Sequence, residues 1–256
     1  MVQALAEARR FSARAARAVM DFVYPPVCPV SGEPVDVSGR LAPAAWAKLS
    51  FLTEPMCSCC GLPFEFDPGA GMECAACATD PPVVARSRAA LVYDEASRRL
   101  ILEFKHSART DALGTFASWM AIAAGASATT ADRILPIPLH PARLRQRRFN
   151  QSALLASALA ERAARPFDPD SLERVRATPS QAGKSAAGRS RNVAGAFRVR
   201  PERADLIAGA RVLLVDDVRT TGATLDAAAR ALRGAGASQV DAVTLLRVVR
   251  PRDITR

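Results

Sequence analysis

The stretch Arg211 to Leu225, R-V-L-L-V-D-D-V-R-T-T-G-A-T-L, decides how this 256-residue chain is read. Val212 to Val215 is a continuous apolar run, which predicts a strand buried on both faces. Asp216 and Asp217 stand where that strand should end. Thr220, Thr221, Gly222, Ala223 and Thr224 then form a short turn of hydroxyls and glycine. From Leu225 to Leu232 the alanine-rich pattern is helical, with Gly234 and Gly236 as its stop. A polar loop between a buried strand and a helix start is where open α/β sheets take ligands, and where backbone N–H groups hold phosphate. A plain βα turn would need no adjacent carboxylates. A Walker B strand would need a partner phosphate loop, and here the pattern fails. The only Gly-Lys-Ser is Gly183-Lys184-Ser185, and the position five before Gly183 is Thr178.

The length suits one sizeable core plus a small extra module. No apolar run reaches the ~18 residues of a membrane span. The segment Val2 to Phe22 carries Arg9, Arg10, Arg14 and Arg17 without an uninterrupted apolar core, so it does not read as a secretory signal. Its apolar spacing predicts a partly amphipathic amino-terminal helix over 1–23 that packs against the body. It also has the Arg-rich, acid-poor look of a transit peptide, but the expected location is cytoplasmic. The net charge is +10 and uneven: residues 133–211 carry 16 basic and 6 acidic side chains. Such a face attracts nucleic acid or the pyrophosphate of a small ligand, while an ordinary solvated surface remains open.

All six cysteines lie between Cys28 and Cys77. Clustering without a secretion signal favours metal over disulfides. Cys57-x-x-Cys60 and Cys74-x-x-Cys77 are two knuckles with 13 residues between them, and four thiolates complete a closed, structural Zn2+ site. Cys60 is chosen over Cys59 for its spacing and because Gly61 permits the turn behind it. Reduced buried thiols are the competing reading.

Pro81-Pro82 marks the boundary between a 24–82 module and an 83–256 body. Arg88 to Tyr93 predicts a strand, Asp94 to Glu103 a helix, Lys105 to Arg109 a basic turn, and Asp111 to Ala124 a helix. Gly125 to Thr130 reads as a loop, and Ile134 to Leu139 as a strand end interrupted by Pro136 and Pro138. Asn150 caps a following helix. Arg143, Arg145, Arg147 and Arg148 sit just before that helix start, a good place to meet an anion. Residues 176–199 read as a linker or as a mobile lid over a ligand. Val240 to Val249 completes a βα succession that predicts a parallel sheet.

The quoted stretch resembles the phosphoribosyl-pyrophosphate (PRPP) motif of type I phosphoribosyltransferases. Together with C-x-x-C-G-x-P at Cys57 to Pro63, P-L-H-P-x-R-L-R-x-R-x-F-N-Q at Pro138 to Gln151, T-P-S-Q at Thr178 to Gln181 and R-N-V-x-x-A-F at Arg191 to Phe197, it resembles the ComF family from Tyr24 onward. That implies a parallel sheet with helices on both faces, preceded by a double zinc ribbon. It further implies that Asp216 and Asp217 approach the ribose hydroxyls and that Thr220 to Thr224 wrap the 5-phosphate. Mg2+ would come with PRPP, and Lys105, His106 and Arg145 would face the pyrophosphate. The implied partners are PRPP or another phosphoribosyl ligand, single-stranded DNA and competence machinery. A phosphoribosyltransferase of nucleotide metabolism or salvage without a DNA role is the alternative. Two departures stand out. Cys28-Pro29-Val30-Ser31-Gly32 and Leu41-Ala42-Pro43-Ala44-Ala45-Trp46 keep the frame of a first ribbon with most cysteines gone, so packing through Trp46, Phe51 and Leu52 must hold it. Arg148 also stands where the family usually has Gly.

Overall fold

The computed structural model describes residues 25–37, 39–106, 111–177 and 193–250, with the main chain only at Glu103, Lys105 and His106. The expected helix over 1–23 and most of the 176–199 segment therefore lie outside the described residues. The amino-terminal part contributes two short helices, α1 (Pro43–Trp46) and α2 (Ala75–Thr79). The body follows with β1 (Ser87–Val92), α3 (Glu95–His106), α4 (Leu113–Ala124), α5 (Ala126–Thr130), β2 (Arg133–Pro136), α6 (Pro141–Arg147) and α7 (Gln151–Ala163). Next come β3 (Leu172–Arg174), β4 (Phe197–Val199), α8 (Ala204–Ile207), β5 (Arg211–Arg219), α9 (Ala223–Gly234) and β6 (Gln239–Arg247).

Four of these strands form one parallel sheet in the order β1-β6-β5-β2, while β3 and β4 pair antiparallel as a separate two-stranded unit. Central β5 is buried on both faces, and its alternation sorts the core into two layers. Leu213 and Val215 join Val243, Leu245, Phe116, Met120, Leu155 and Leu159 on one side. Val212 and Leu214 join Val240, Ala242, Leu225, Ala228 and Leu232 on the other. Helices α4 and α7 thus cover one face and α9 the other, a layered α/β sandwich.

Several boundaries differ from expectation, each for a local reason. Strand β5 does not end at the carboxylates but runs on to Arg219, because β6 keeps pairing with it through Arg219↔Arg247. The partner on its other side stops at Pro136↔Val215, so Asp216 and Asp217 lie on a strand extension with one neighbour. The predicted basic turn begins inside α3, whose last residues are Lys105 and His106. The predicted loop at 125–130 contains α5. There Thr129 and Thr130 hydroxyls donate to Ala126 O, and Ser127 Oγ bonds Asp241 Oδ2 at 2.6 Å. The arginines before Asn150 ride on α6 rather than on a bare loop, with His140 as its N-cap accepting from Ala142 N. Strand β4, within the segment read as linker or lid, is held by pairing to β3. The last strand stops at Arg247.

The first ribbon is packed as part of the larger core. Cys28, Leu41, Ala42, Ala45 and Leu49 are buried in the same cluster as Phe116 and Trp119. Trp46, Phe51 and Trp119 form a mutual aromatic triangle with centroids 4.9–5.7 Å apart. Leu52, the third residue expected to hold this part, joins the sheet through its backbone N–H to Ala90 O at 3.0 Å.

Candidate functional site

The two knuckles share one fold, and this shows why one can hold metal and the other cannot. At Cys57 the chain turns so that Cys57 N–H donates to Leu62 O and Gly61 N–H to Cys57 O, inside a bridge of Met56 with Pro63. At Cys28 the same bonds recur from Cys28 to Glu33 O and from Gly32 to Cys28 O, inside a bridge of Val27 with Pro34. Cys74 precedes α2 as Ala42 precedes α1. Ser31, Ala42 and Ala45 therefore stand where Cys60, Cys74 and Cys77 stand in the second ribbon, and the apolar pair is buried like the thiols it replaces. Methyl groups in a closed core need no counter-ion, so hydrophobic packing does there what coordination does in the second knuckle.

In the second ribbon the Sγ atoms of Cys57, Cys60, Cys74 and Cys77 all lie within 4.8 Å of one another and are buried. Cys60 and Cys74 Sγ are 3.7 Å apart. Tetrahedral zinc with Zn–S bonds near 2.3 Å sets an S···S edge of about 3.8 Å, which the Cys60–Cys74 separation matches, so the four thiols suit the ion. Cys57 Sγ also accepts the N–H groups of Cys60 at 3.4 Å and Cys74 at 3.3 Å, the donors a thiolate needs. Hydrogen bonds with the Cys60 and Cys77 side chains, helped by these backbone donors, pull the Cys57 thiol well below its usual range, while hydrogen bonds with Cys57 and Cys60 push Cys77 up. Burial raises Cys74 to about 11. Cys59 points elsewhere, its Sγ 3.8 Å from Ala85 O.

The second site lies at the end of β5. Asp216 Oδ1 accepts the Ser152 hydroxyl at 2.8 Å and the Asp217 N–H at 3.0 Å. Ser152 is placed by the cap of α7: Asn150 Oδ1 accepts Ser152 N–H at 3.1 Å, and Asn150 Nδ2 donates to Ile137 O at 3.0 Å. One asparagine thus ties the end of β2, the start of α7 and the first carboxylate together. Replacing Asn150 by Ala removes the cap and leaves a carbonyl unpaired, with an expected cost of about 1–2 kcal/mol in a denaturant titration. Ser152 was not singled out by sequence reasoning, although its place two residues after a cap was the available signal.

Past the carboxylates, Thr220 is exposed, Thr221 and Thr224 are half-exposed, and Gly222 is buried at φ 86 as the N-cap of α9. Glycine suits this position for two reasons. The positive φ disfavours any side chain, and a Cβ would come within 2.8 Å of Arg219 Nη2. The twelve-residue helix starts without a side-chain cap on Gly222, with Ala223 N–H making a long contact of 3.5 Å to Thr221 Oγ1, and such a helix start attracts an anion. Asp226 in that turn accepts the N–H groups of Val83 and Val84 and fixes the helix to the chain entering β1.

Not every expected site residue is brought to this loop. Arg145 is exposed on α6, and among the described residues no hydrogen bond or ion pair joins it to Asp216 to Thr224. Lys105 lies in the last turn of α3, and its side chain is outside the described residues. Arg174, on β3, sits over the Phe197 ring at 5.3 Å, and burial holds its pKa down. Arg148 closes α6 in the left-handed region at φ 66, a conformation that favours glycine. Arg148→Gly is accordingly expected to stabilise the protein by roughly 0.5–1 kcal/mol, read as a rise in the denaturation midpoint.

A parallel sheet with a carboxylate pair and a glycine-capped helix at its open end, joined to a four-cysteine knuckle, defines a phosphoribosyltransferase-type protein with a zinc ribbon. The family descriptions agree: a double zinc ribbon domain matches residues 19–78 and a phosphoribosyl transferase domain matches residues 150–253. The DNA utilization protein YhgH of Salmonella typhimurium is 32% identical over 199 residues, spanning 76% of this chain and 85% of that protein. Competence protein F of Haemophilus influenzae is 34% identical over 116 residues, 45% of this chain and 50% of that protein. Competence protein ComFC of Bacillus subtilis is 27% identical over 208 residues, 78% of this chain and 81% of that protein. The chain belongs to the ComF family. The ribbon match and the fit of the four thiols support a structural zinc, and among the described residues no helix is long and apolar enough to cross a membrane.

Proposed function

We propose that this chain binds PRPP and works in the handling of DNA during its uptake in natural transformation. The carrying observation is the succession of Asp216, Asp217 and the Gly222-capped helix at the end of the central strand. In this reading Asp216 and Asp217 receive the ribose hydroxyls, and Thr220, Thr221, Gly222, Ala223 and Thr224 hold the 5-phosphate through N–H and hydroxyl groups. Mg2+ accompanies the pyrophosphate, with Lys105 and Arg145 on that side. Binding is the primary activity. Transfer would break the bond between C1 and pyrophosphate with oxocarbenium character, the departing charge held by Mg2+ and basic side chains. The working division is a 1–23 helix, a 24–82 double ribbon with a degenerate first half and an 83–256 phosphoribosyltransferase-like domain, in the cytoplasm.

Support for the DNA role comes from the names of the relatives and from the 16 basic residues of the 133–211 window. Charge of this kind predicts sequence-independent single-strand binding that weakens with salt. Calorimetry with PRPP and Mg2+ is expected to show a saturable one-to-one isotherm, and filter binding to show retention of single-stranded DNA at low salt. Flat titration of PRPP overturns the ligand reading. PRPP binding without DNA retention and without a transformation defect favours a transferase of nucleotide metabolism or salvage.

A further inference from the structure

Three arginines with no place in the PRPP reading, Arg88, Arg219 and Arg247, are more than nine-tenths buried. Among the described residues none of them forms a salt bridge with a carboxylate. Two of them lie directly between the sites described above. Arg219 and Arg247 are register partners on β5 and β6, and Val248 N–H donates to Arg219 O at 2.9 Å. Arg247 reaches the metal knuckle: Nη1 donates to Cys60 O at 2.6 Å and Nη2 lies 3.5 Å from Cys60 Sγ. The Arg219 guanidinium lies against Gly222 where a Cβ would be, and it also feels the charge of Cys60 and Cys77 in the knuckle. The Nε atoms of both side chains are buried without a partner. Arg88 braces the same knuckle through Nη1 to Cys57 O and Ser58 O.

Two adjacent guanidiniums withdrawn from water are costly unless anions compensate them. Burial depresses the Arg219 pKa first, and the charge of Arg247 adds to it, while Cys60, Asp226 and Cys77 oppose. A zinc tetrathiolate carries a formal charge of about −2 and stands on the Arg247 side. Among the described residues, no carboxylate makes an ion pair with Arg219 on the phosphate-loop side, where the start of α9 offers N–H donors.

We infer that Arg219 and Arg247 form a charge strut through which the zinc knuckle positions the phosphate loop, so that metal retention and binding of a ribose 5-phosphate group are coupled. Arg219 is a positioning residue: it sets the floor under Gly222 and supplies fixed positive charge beneath the anion. The two intervening cations offset the repulsion between the tetrathiolate and the phosphate, two anionic centres that would otherwise oppose joint occupancy. This inference rests on the reading of Thr220 to Thr224 as the 5-phosphate loop.

The probe is ribose 5-phosphate, tested on the full zinc-loaded chain in two ways. In the wild type, a saturating amount is expected to slow zinc transfer to a competing chelator about fivefold, the lower end of ordinary coupling energies. Arg219→Met is expected to keep one zinc per chain yet bind ribose 5-phosphate about tenfold more weakly, and to lose the slowing even when saturated. Arg219→Lys, which keeps the charge, should retain part of both effects and carries the test should the Met variant not fold. An unchanged zinc transfer rate in the saturated wild type overturns the strut, as does equal slowing in wild type and Arg219→Met, since that is generic stabilisation by ligand. Either result leaves the ligand reading intact. Failure of the wild type to bind ribose 5-phosphate overturns both together.

Discussion

Cys57→Ser is expected to abolish zinc retention and to melt the second ribbon while the first stays in place. The four thiols close a site in which each supplies one corner, and Cys57 also anchors the N–H groups of Cys60 and Cys74. Structural zinc contributes roughly 10–16 kcal/mol in small zinc-finger peptides, on the scale of an entire domain's stability, so three remaining ligands cannot hold the knuckle. The loss does not stop there. Arg247 and Arg88 donate to carbonyls of Cys60, Cys57 and Ser58, and a melted knuckle leaves two buried guanidiniums without those acceptors. A further cost to the sheet is expected, on the scale of about 1.5–3 kcal/mol for each lost hydrogen bond to a charged group. The measurements are metal content per chain and the thermal midpoint. Cys28→Ser provides the contrast: its thiol accepts long N–H contacts from Val30 and Ser31 at 3.5 Å, and its neighbours at the metal positions are serine and alanine. Zinc content should stay at one per chain in that variant. Two zinc ions in the wild type would contradict the whole account of the first ribbon.

What could be read in advance, and what could not, follows from range. The metal knuckle and the loop at 220–224 are local: their chemistry sits in consecutive residues, and spacing alone fixes how thiols or hydroxyls converge. The central strand was equally legible, since Val212 to Val215 had to be buried on both faces. Its true end was not legible, because β5 continues past the carboxylates only where β6 lies alongside, and Arg219↔Arg247 is a contact between residues far apart in sequence. The same holds for Ser152 and Asp216, which meet 64 positions apart. Short helices such as α5 and α6 were obscured by threonines, serines and prolines that signal turns but here make local caps and back-bonds. Arg148 was readable only as an oddity of sequence; its left-handed backbone explains why glycine suits the position.

The carboxylate pair separates binding from scaffolding. Asp216 serves both roles, because Ser152 Oγ and the Asp217 N–H both use its Oδ1. Asp216→Ala should therefore cost about 1–2 kcal/mol of stability from a donor left unpaired, in addition to any effect on ligand. Asp217→Ala is the complementary variant: its site is half-exposed and on a strand extension flanked by one neighbour. In the PRPP reading this variant removes a charged acceptor of hydroxyl hydrogen bonds, worth about 1.5–3 kcal/mol, and leaves the rest of the loop in place. PRPP affinity should fall by roughly ten- to a hundredfold, with the thermal midpoint unchanged within about 2 °C. Transformation frequency should fall with it when the variant replaces the wild-type chain in a competent host. Wild-type affinity in Asp217→Ala would remove the second carboxylate from the ligand site. Lost affinity with normal transformation would instead show that PRPP occupancy is dispensable for DNA uptake, leaving the basic 133–211 window as the part that matters there.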